Sequence, residues 1–171
     1  MVIPMPTVRP ETPNDADCIT AVTHAAFADA PHRSGTEAAI VSALRASGEL
    51  TVSLVADIDE RIVGHVAVSP VRISDRRGAW YGLGPVSVLP SFQGKGIGAA
   101  LIQQALTTLQ TQGADGCVVL GDPAYYARFG FAVVDGLVLP GVPASYFQAQ
   151  RFTDTFPQGD VTYSPAFDVT D

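Results

Sequence analysis

Two periods of apolar residues alternate along this chain and divide it into helices and strands. A short strand over Thr7 to Pro10 comes first. Asn14-Asp15 is a polar pair suited to opening a helix, and Ile19, Val22, Ala26 and Phe27 then fall on one helical face until Pro31 closes the segment. Thr36-Glu37 opens a second helix carrying Ile40, Val41 and Leu44, which stops near Gly48. Leu50 to Asp57 and Ile62 to Val71 are β-branched runs, and the turn Ile58-Asp59-Glu60-Arg61 joins them as a hairpin.

A polar turn around Ser74 to Gly78 leads to a third strand, Ala79 to Leu89, so an antiparallel meander is expected. Pro85 cannot donate to a ladder there, and with Gly82 and Gly84 just before it the segment predicts a bulge or local splaying. Gly94 to Gln112 is the longest helix candidate, with Ile97, Leu101, Ala105 and Leu109 on one face. Cys117 to Leu120 reads as a short buried strand, and Tyr125 to Phe129 as a short helix stopped by Gly130. Tail strands are expected near Ala132-Val134, Phe147-Phe152 and Val161-Tyr163. Neither a repeat nor a linker interrupts the pattern, so residues 1–171 should form a single domain.

Composition narrows the function more than the fold. Hydrophobic residues make up 47% and charged residues 16%, a balance that suits a folded globular chain and not a disordered one. The net charge is −7, Lys95 is the single lysine, and no basic run occurs, which argues against a nucleic-acid partner. An acidic surface instead favours cationic substrates such as amines. No segment approaches the roughly 18 apolar residues of a spanning helix. Met1 to Pro10 carries no apolar run either, so no membrane partner is expected and the location should be cytoplasmic. Cys18 and Cys117 have no metal-ligand spacing and are expected to be two buried thiols, with no metal site.

The chemistry concentrates in Val86-Ser87-Val88-Leu89-Pro90-Ser91-Phe92-Gln93-Gly94-Lys95-Gly96-Ile97-Gly98, which runs strand, turn, glycine-rich loop, helix. Glycines let backbone approach a phosphate, and the first amides of a helix point outward unpaired in a favourable dipole field. Two enzyme readings compete. Gly94 to Ala99 satisfies the loose dinucleotide pattern G-x-G-x-x-G/A, with Asp122 downstream, but a meander precedes it and no repeated strand-helix units follow. The other reading rests on Gln93, Gly96 and Gly98 in a Gln-x-x-Gly-x-Gly pattern, followed by Tyr126-Ala127-Arg128-Phe129-Gly130-Phe131 at the distance of one long helix, one strand and one short helix.

Those motifs resemble the pyrophosphate loop and the Tyr-x-x-x-Gly-Phe segment of the GNAT superfamily of N-acetyltransferases. Within it, Gly121 to Phe131 is similar to the YhbS-like group. The resemblance covers most of the chain. It implies an α/β (α+β) fold with a mixed central sheet, an antiparallel N-terminal meander, a splayed parallel strand pair at the cofactor site and helices on both faces. It implies acetyl-CoA as cofactor, with CoA as product, and an amine acceptor of unspecified identity. A homodimer is compatible with it.

The cofactor residues it implies are Val86, Ser87 and Val88 along the pantetheine arm, Gln93, Gly94, Lys95, Gly96, Ile97 and Gly98 at the pyrophosphate, and Tyr126 near the sulfur. Direct attack of an amine on the thioester needs proton removal, oxyanion stabilisation and protonation of the thiolate. The resemblance assigns Tyr126 as general acid, with Tyr125 as a packing neighbour, and an amide at Val88 serves the oxyanion. Trp80 to Val88 lacks the strand carboxylate of many relatives, so the base is left between His65, Glu37 and water. Asp29 to Glu37, with His32 and Arg33, is the expected rim of the acceptor entrance, and Arg128 either reaches a phosphate or pairs with a carboxylate. The missing carboxylate also keeps open a binding module that holds acetyl-CoA without turnover.

Overall fold

The meander forms the spine of the sheet. In this computed structural model, which describes residues 4–28, 35–74 and 78–170, β1 (Thr7–Pro10), β2 (Val52–Ile58), β3 (Arg61–Ile73) and β4 (Trp80–Val88) pair antiparallel in sequence order. The β2–β3 turn is tight, with Asp59 and Glu60 both at positive φ (50° and 68°), as a two-residue hairpin requires. Next to β4 lies β5 (Gly116–Leu120), parallel to it, and then β7 (Phe147–Arg151), antiparallel to β5. The β5 strand reaches its parallel place through the crossover helix α3 (Ile97–Thr111).

The helices divide between the two faces. On one face α3 lays Leu101, Ile102, Ala105, Leu106 and Leu109 onto β2 and β3, where Val52, Leu54, Val66 and Val68 complete the main core. Burying each of those large side chains is worth about 2 kcal/mol. On the other face α1 (Ala16–Phe27) and α2 (Glu37–Ser47) bring Ile19, Val22 and Val41 onto Val55, Ile62 and Ala67. Among the described residues, no helix is long and apolar enough to cross a membrane.

The C-terminal part departs from the expected pattern. Ala132 makes only an isolated bridge to Ala149, and the short strand is instead β6 (Leu137–Val138), parallel to β8 (Gly159–Tyr163). The β8 strand pairs antiparallel with Val71–Ile73 of β3, bringing the tail back over the sheet. The short helix α4 (Pro123–Tyr126) begins earlier than periodicity suggests because the Asp122 carboxylate accepts a hydrogen bond from Ala124 N at 2.9 Å. Cys117 is buried, but Cys18 is exposed: it lies one position before Ile19, on the outer face of α1. The GNAT architecture is present, and the dinucleotide alternative fails on its sheet, whose parallel pairs among the described residues are β4–β5 and the two-residue β6–β8.

Candidate active site

The β4–β5 pair opens like a fork. Trp80 to Leu83 pair with Gly116 to Val119, and beyond Leu83 no pairing continues, because β5 stays with β7 while β4 stays with β3. The expected bulge sits at the branch point. Val66 is opposite Val86 but Val68 is opposite Leu83, so β4 carries one extra residue around Gly84-Pro85.

The antiparallel alternation decides which backbone groups face the gap. Leu89 N donates to Val63 O at 2.9 Å, so the pair Ser87–His65 is hydrogen-bonded and the pairs Val86–Val66 and Val88–Gly64 are not. The amide and carbonyl groups of Val86 and Val88 therefore point to the free edge of β4, whereas those of Ser87 are turned to β3. The Val88 carbonyl already accepts from Gln93 Nε2 at 3.0 Å, which ties the glycine loop to the end of the strand.

That loop presents an anion cradle. The amides of residues 94–99 make no hydrogen bond among the described residues, and Ala100 N is the first to find a partner, Gly96 O at 3.0 Å. Gly96 precedes α3 at φ 84°, and a Cβ on it or on Gly94 would meet nothing within 4 Å, so the space over the loop is open. Lys95 is exposed there.

Across the fork stands Tyr126. Its ring lies so close to the end of β5 that a Cβ on Gly121 would come within 2.4 Å of Cε2. Edge-on contacts with Tyr125 (centroids 5.1 Å apart) and Phe131 (6.0 Å) hold it from the sides. Burial, reinforced by Tyr125, pushes the Tyr126 phenol up to about 12, so it is neutral and a hydrogen-bond donor at pH 7. Tyr125 leans on α3, and Arg128 stacks over it at 4.5 Å while Nε donates to Tyr125 O. Arg128 is thus engaged with Tyr125 and not with a carboxylate.

On the opposite face, below α1 and α2, a cavity of about 300 Å³ opens at the branch point. Leu83, Gly84 and Pro85 form its floor, and Phe27, Ile40, Leu120, Leu139 and Phe167 its apolar walls. Glu37 is its one carboxylate and Tyr163 its one phenol among the described residues. The expected rim segment 29–34, with His32 and Arg33, lies outside the described residues. The sequence reading placed Tyr163 in a tail strand and gave neither it nor Phe167 a place in the site. The available signal was Gly82, since a glycine inside a strand marks close approach: the Tyr163 ring covers it, at 2.8 Å from where a Cβ would sit. Larger hollows of about 670 and 520 Å³ lie beside Trp80 and Gly78. Those are at the amino end of the parallel pair, whereas ligands of such sheets collect beyond the carboxyl ends.

His65, the sequence candidate for the base, is placed elsewhere. It is fully buried beneath α1 and does not line the cavity. Ser53 Oγ donates to Glu11, so the 2.8 Å contact from His65 Nε2 to Ser53 makes Nε2 the donor and leaves Nδ1 bare, without a partner among the described residues. Burial holds the imidazole at about 4, against a smaller upward pull from Glu11. Burial pushes Glu11 up in turn, but hydrogen bonds from Arg45 and Ser53 outweigh it and leave its carboxyl below the ordinary value. At about 4 the imidazole is neutral at pH 7 and a weak proton acceptor.

Comparison with known proteins agrees with this geometry. The acetyltransferase (GNAT) domain family matches residues 49–133. The chain is 37% identical over 152 residues to the N-acetyltransferase YhbS of Escherichia coli (strain K12), covering 86% of this chain and 87% of that protein. Its structure is similar to that of a GNAT family acetyltransferase from Brucella melitensis in complex with acetyl-CoA (TM-score 0.86, 48% identity, 95% of this chain and 98% of that one). It is also similar to Escherichia coli YhbS in complex with CoA (TM-score 0.88, 34% identity, 100% and 97%). The forked pair, the glycine loop and Tyr126 thus stand in a chain that belongs to the GNAT family of N-acetyltransferases.

Proposed function

We propose that this protein binds acetyl-CoA along the free edge of β4 and passes its acetyl group to a primary amine by direct attack on the thioester. The observation that carries the reading is the fork itself, which lies between a loop of unpaired amides and Tyr126. The amides of residues 94–99 and the α3 dipole receive the pyrophosphate, and Val86 and Val88 offer backbone groups to the pantetheine arm. The relatives crystallised with acetyl-CoA and with CoA support the choice of cofactor. Unpaired Cys18 and Cys117 suit a reducing cytoplasmic setting.

The amine enters from the cavity at Gly84-Pro85. Glu37 takes its proton, directly or through water, and the nitrogen attacks the carbonyl carbon. A free-edge amide of β4 holds the oxyanion, the C–S bond breaks, and Tyr126 donates a hydrogen bond to the departing thiolate. Full transfer from a phenol at about 12 to a thiolate near about 8.5 is uphill by roughly 5 kcal/mol, so solvent completes the protonation. Glu37 supplies the carboxylate that β4 lacks, and this favours turnover over a silent binding module.

The test is free-thiol release from acetyl-CoA with and without amines, beside thermal stabilisation by acetyl-CoA and by NAD(H). Tyr126→Phe should lower kcat about a hundredfold and leave the dissociation constant for CoA unchanged. Stabilisation by NAD(H) alone would overturn the assignment of the cofactor.

A further inference from the structure

The cavity under α1 and α2 carries more information than an entrance would need. Most of its described lining is apolar: Phe27 from α1, Ile40 from α2, Leu120 from β5, and Leu139 and Phe167 from the tail. Leu120 is 47% exposed, an apolar surface at the tip of the fork that no described residue covers. Against these walls stand two polar groups. Glu37 opens α2 at the rim, and Tyr163 lies over Gly82 with its hydroxyl oxygen shut off from solvent and unpartnered among the described residues. Burial pushes that phenol up, with Cys117 and Tyr126 adding to the shift from across the sheet, so it stays protonated and able to donate.

Resting on the transfer reading above, we propose that the acceptor is a small monoamine with a compact, branched or aromatic apolar body, whose ammonium sits at Glu37 while the body fills the cavity. Each alternative acceptor conflicts with one of these features. A polyamine would set further charges against Phe27, Ile40 and Leu139, where the described lining residues offer no second counter-ion. An amino sugar would bury several hydroxyls with one phenol to receive them. A lysine side chain reaching in from a protein is a bare methylene stem, which leaves much of a 300 Å³ space unfilled and the aromatic walls without contacts.

The chemistry balances within this site. The ammonium gives one proton to the Glu37 carboxylate. As the freed nitrogen forms the C–N bond and the C–S bond breaks, the nitrogen gives up one of its two remaining protons to solvent and the thiolate takes one proton from solvent. Glu37 then returns its proton to solvent, so each turnover yields one amide, one thiol and one proton.

The test is a panel of 2-phenylethylamine, 3-methylbutylamine, spermidine, glucosamine and a lysine-containing peptide, read by thiol release at fixed acetyl-CoA. The two monoamines should exceed every other acceptor in kcat/KM by at least about tenfold. Glu37→Gln should raise KM for 2-phenylethylamine about tenfold or more, with KM for acetyl-CoA unchanged. Leu120→Asp, at a half-exposed position, should shift the preference toward spermidine. Faster turnover of spermidine, glucosamine or the peptide overturns the acceptor class and leaves the transfer reading standing. Acetyl-CoA binding with no amine acetylated overturns both, and failure to bind acetyl-CoA overturns the transfer reading at its root.

Discussion

The two halves of the β4–β5 pair are built from the same strands and do opposite things. From Trp80 to Leu83 the strands are zipped, and Trp80 lies so tightly over Gly116 that a Cβ there would come within 2.3 Å of the ring. From Gly84 onward they part, and the amides and carbonyls of Val86 and Val88 are left facing a gap. The zipped half closes a core with Val118, Phe147 and Val161. The open half forgoes that pairing and is bordered by Tyr126, the glycine loop and the cavity lined by Glu37. Unsatisfied strand groups usually invite aggregation, so a gap kept open inside a sheet is a sign of a ligand that fills it.

Paired substitutions at the two glycines test that division most sharply. Gly116→Val drives two methyls into the Trp80 ring, which is packed among Val118, Phe147 and Val161, and should cost about 3 kcal/mol in urea unfolding, the upper end for overpacking. Gly121→Val meets the Tyr126 ring, which is half-buried and can turn toward solvent. There the loss of stability should be about 1 kcal/mol, while kcat falls nearly as far as in Tyr126→Phe. If both variants lost stability equally and kept kcat in the folded fraction, the two halves would not be distinct in function.

The zipped half, the meander and the loop were legible because their signals are local. Alternation gave the strands, Pro85 with its glycines gave the bulge, and Gln93, Gly96 and Gly98 gave the cradle within six residues. The cavity was not legible. Its walls come from Phe27, Ile40, Leu83, Leu120, Leu139, Tyr163 and Phe167, and only the pairing of β8 with β3 brings the tail over the fork. His65 attracted attention for its ordinary pKa, but burial is a property of the neighbours that α1 and β2 bring, and no local pattern announces it. Glu37 was one of three candidates for the base, and no local pattern announced that it would line a cavity at the branch point.

His65 nonetheless links the open half to stability, since its register partner is Ser87 of β4 and both carry buried polar atoms without partners among the described residues. Folded His65 titrates at about 4, whereas the unfolded chain binds that proton near about 6.5. Its contribution is therefore complete above about pH 6.5 and is lost as the pH falls toward 4, by up to about 3 kcal/mol. Asp15, held by Arg9 at about 2, adds its own loss only below the ordinary aspartate range. Urea midpoints measured from pH 7 down to about 4.5 should fall steadily in the wild type and less steeply in His65→Gln. An equal slope in both would remove His65 from the account of acid sensitivity.

The smallest effect is expected where the charge is most obvious. Lys95 is the only lysine and sits in the anion loop, yet it is exposed, and the cradle beneath it consists of the backbone amides of residues 94–99. An exposed cation acting on a phosphate through water is worth about 0.5–1 kcal/mol and is screened by salt. Lys95→Ala should therefore weaken acetyl-CoA binding only about two- to fivefold at low ionic strength, and the difference should shrink as salt is added. The amides and the α3 dipole are unchanged in that variant, so most of the affinity should persist. A hundredfold loss would mean that the side chain and not the backbone holds the pyrophosphate, and the open half of the fork would then depend on one charge where its geometry offers six amides.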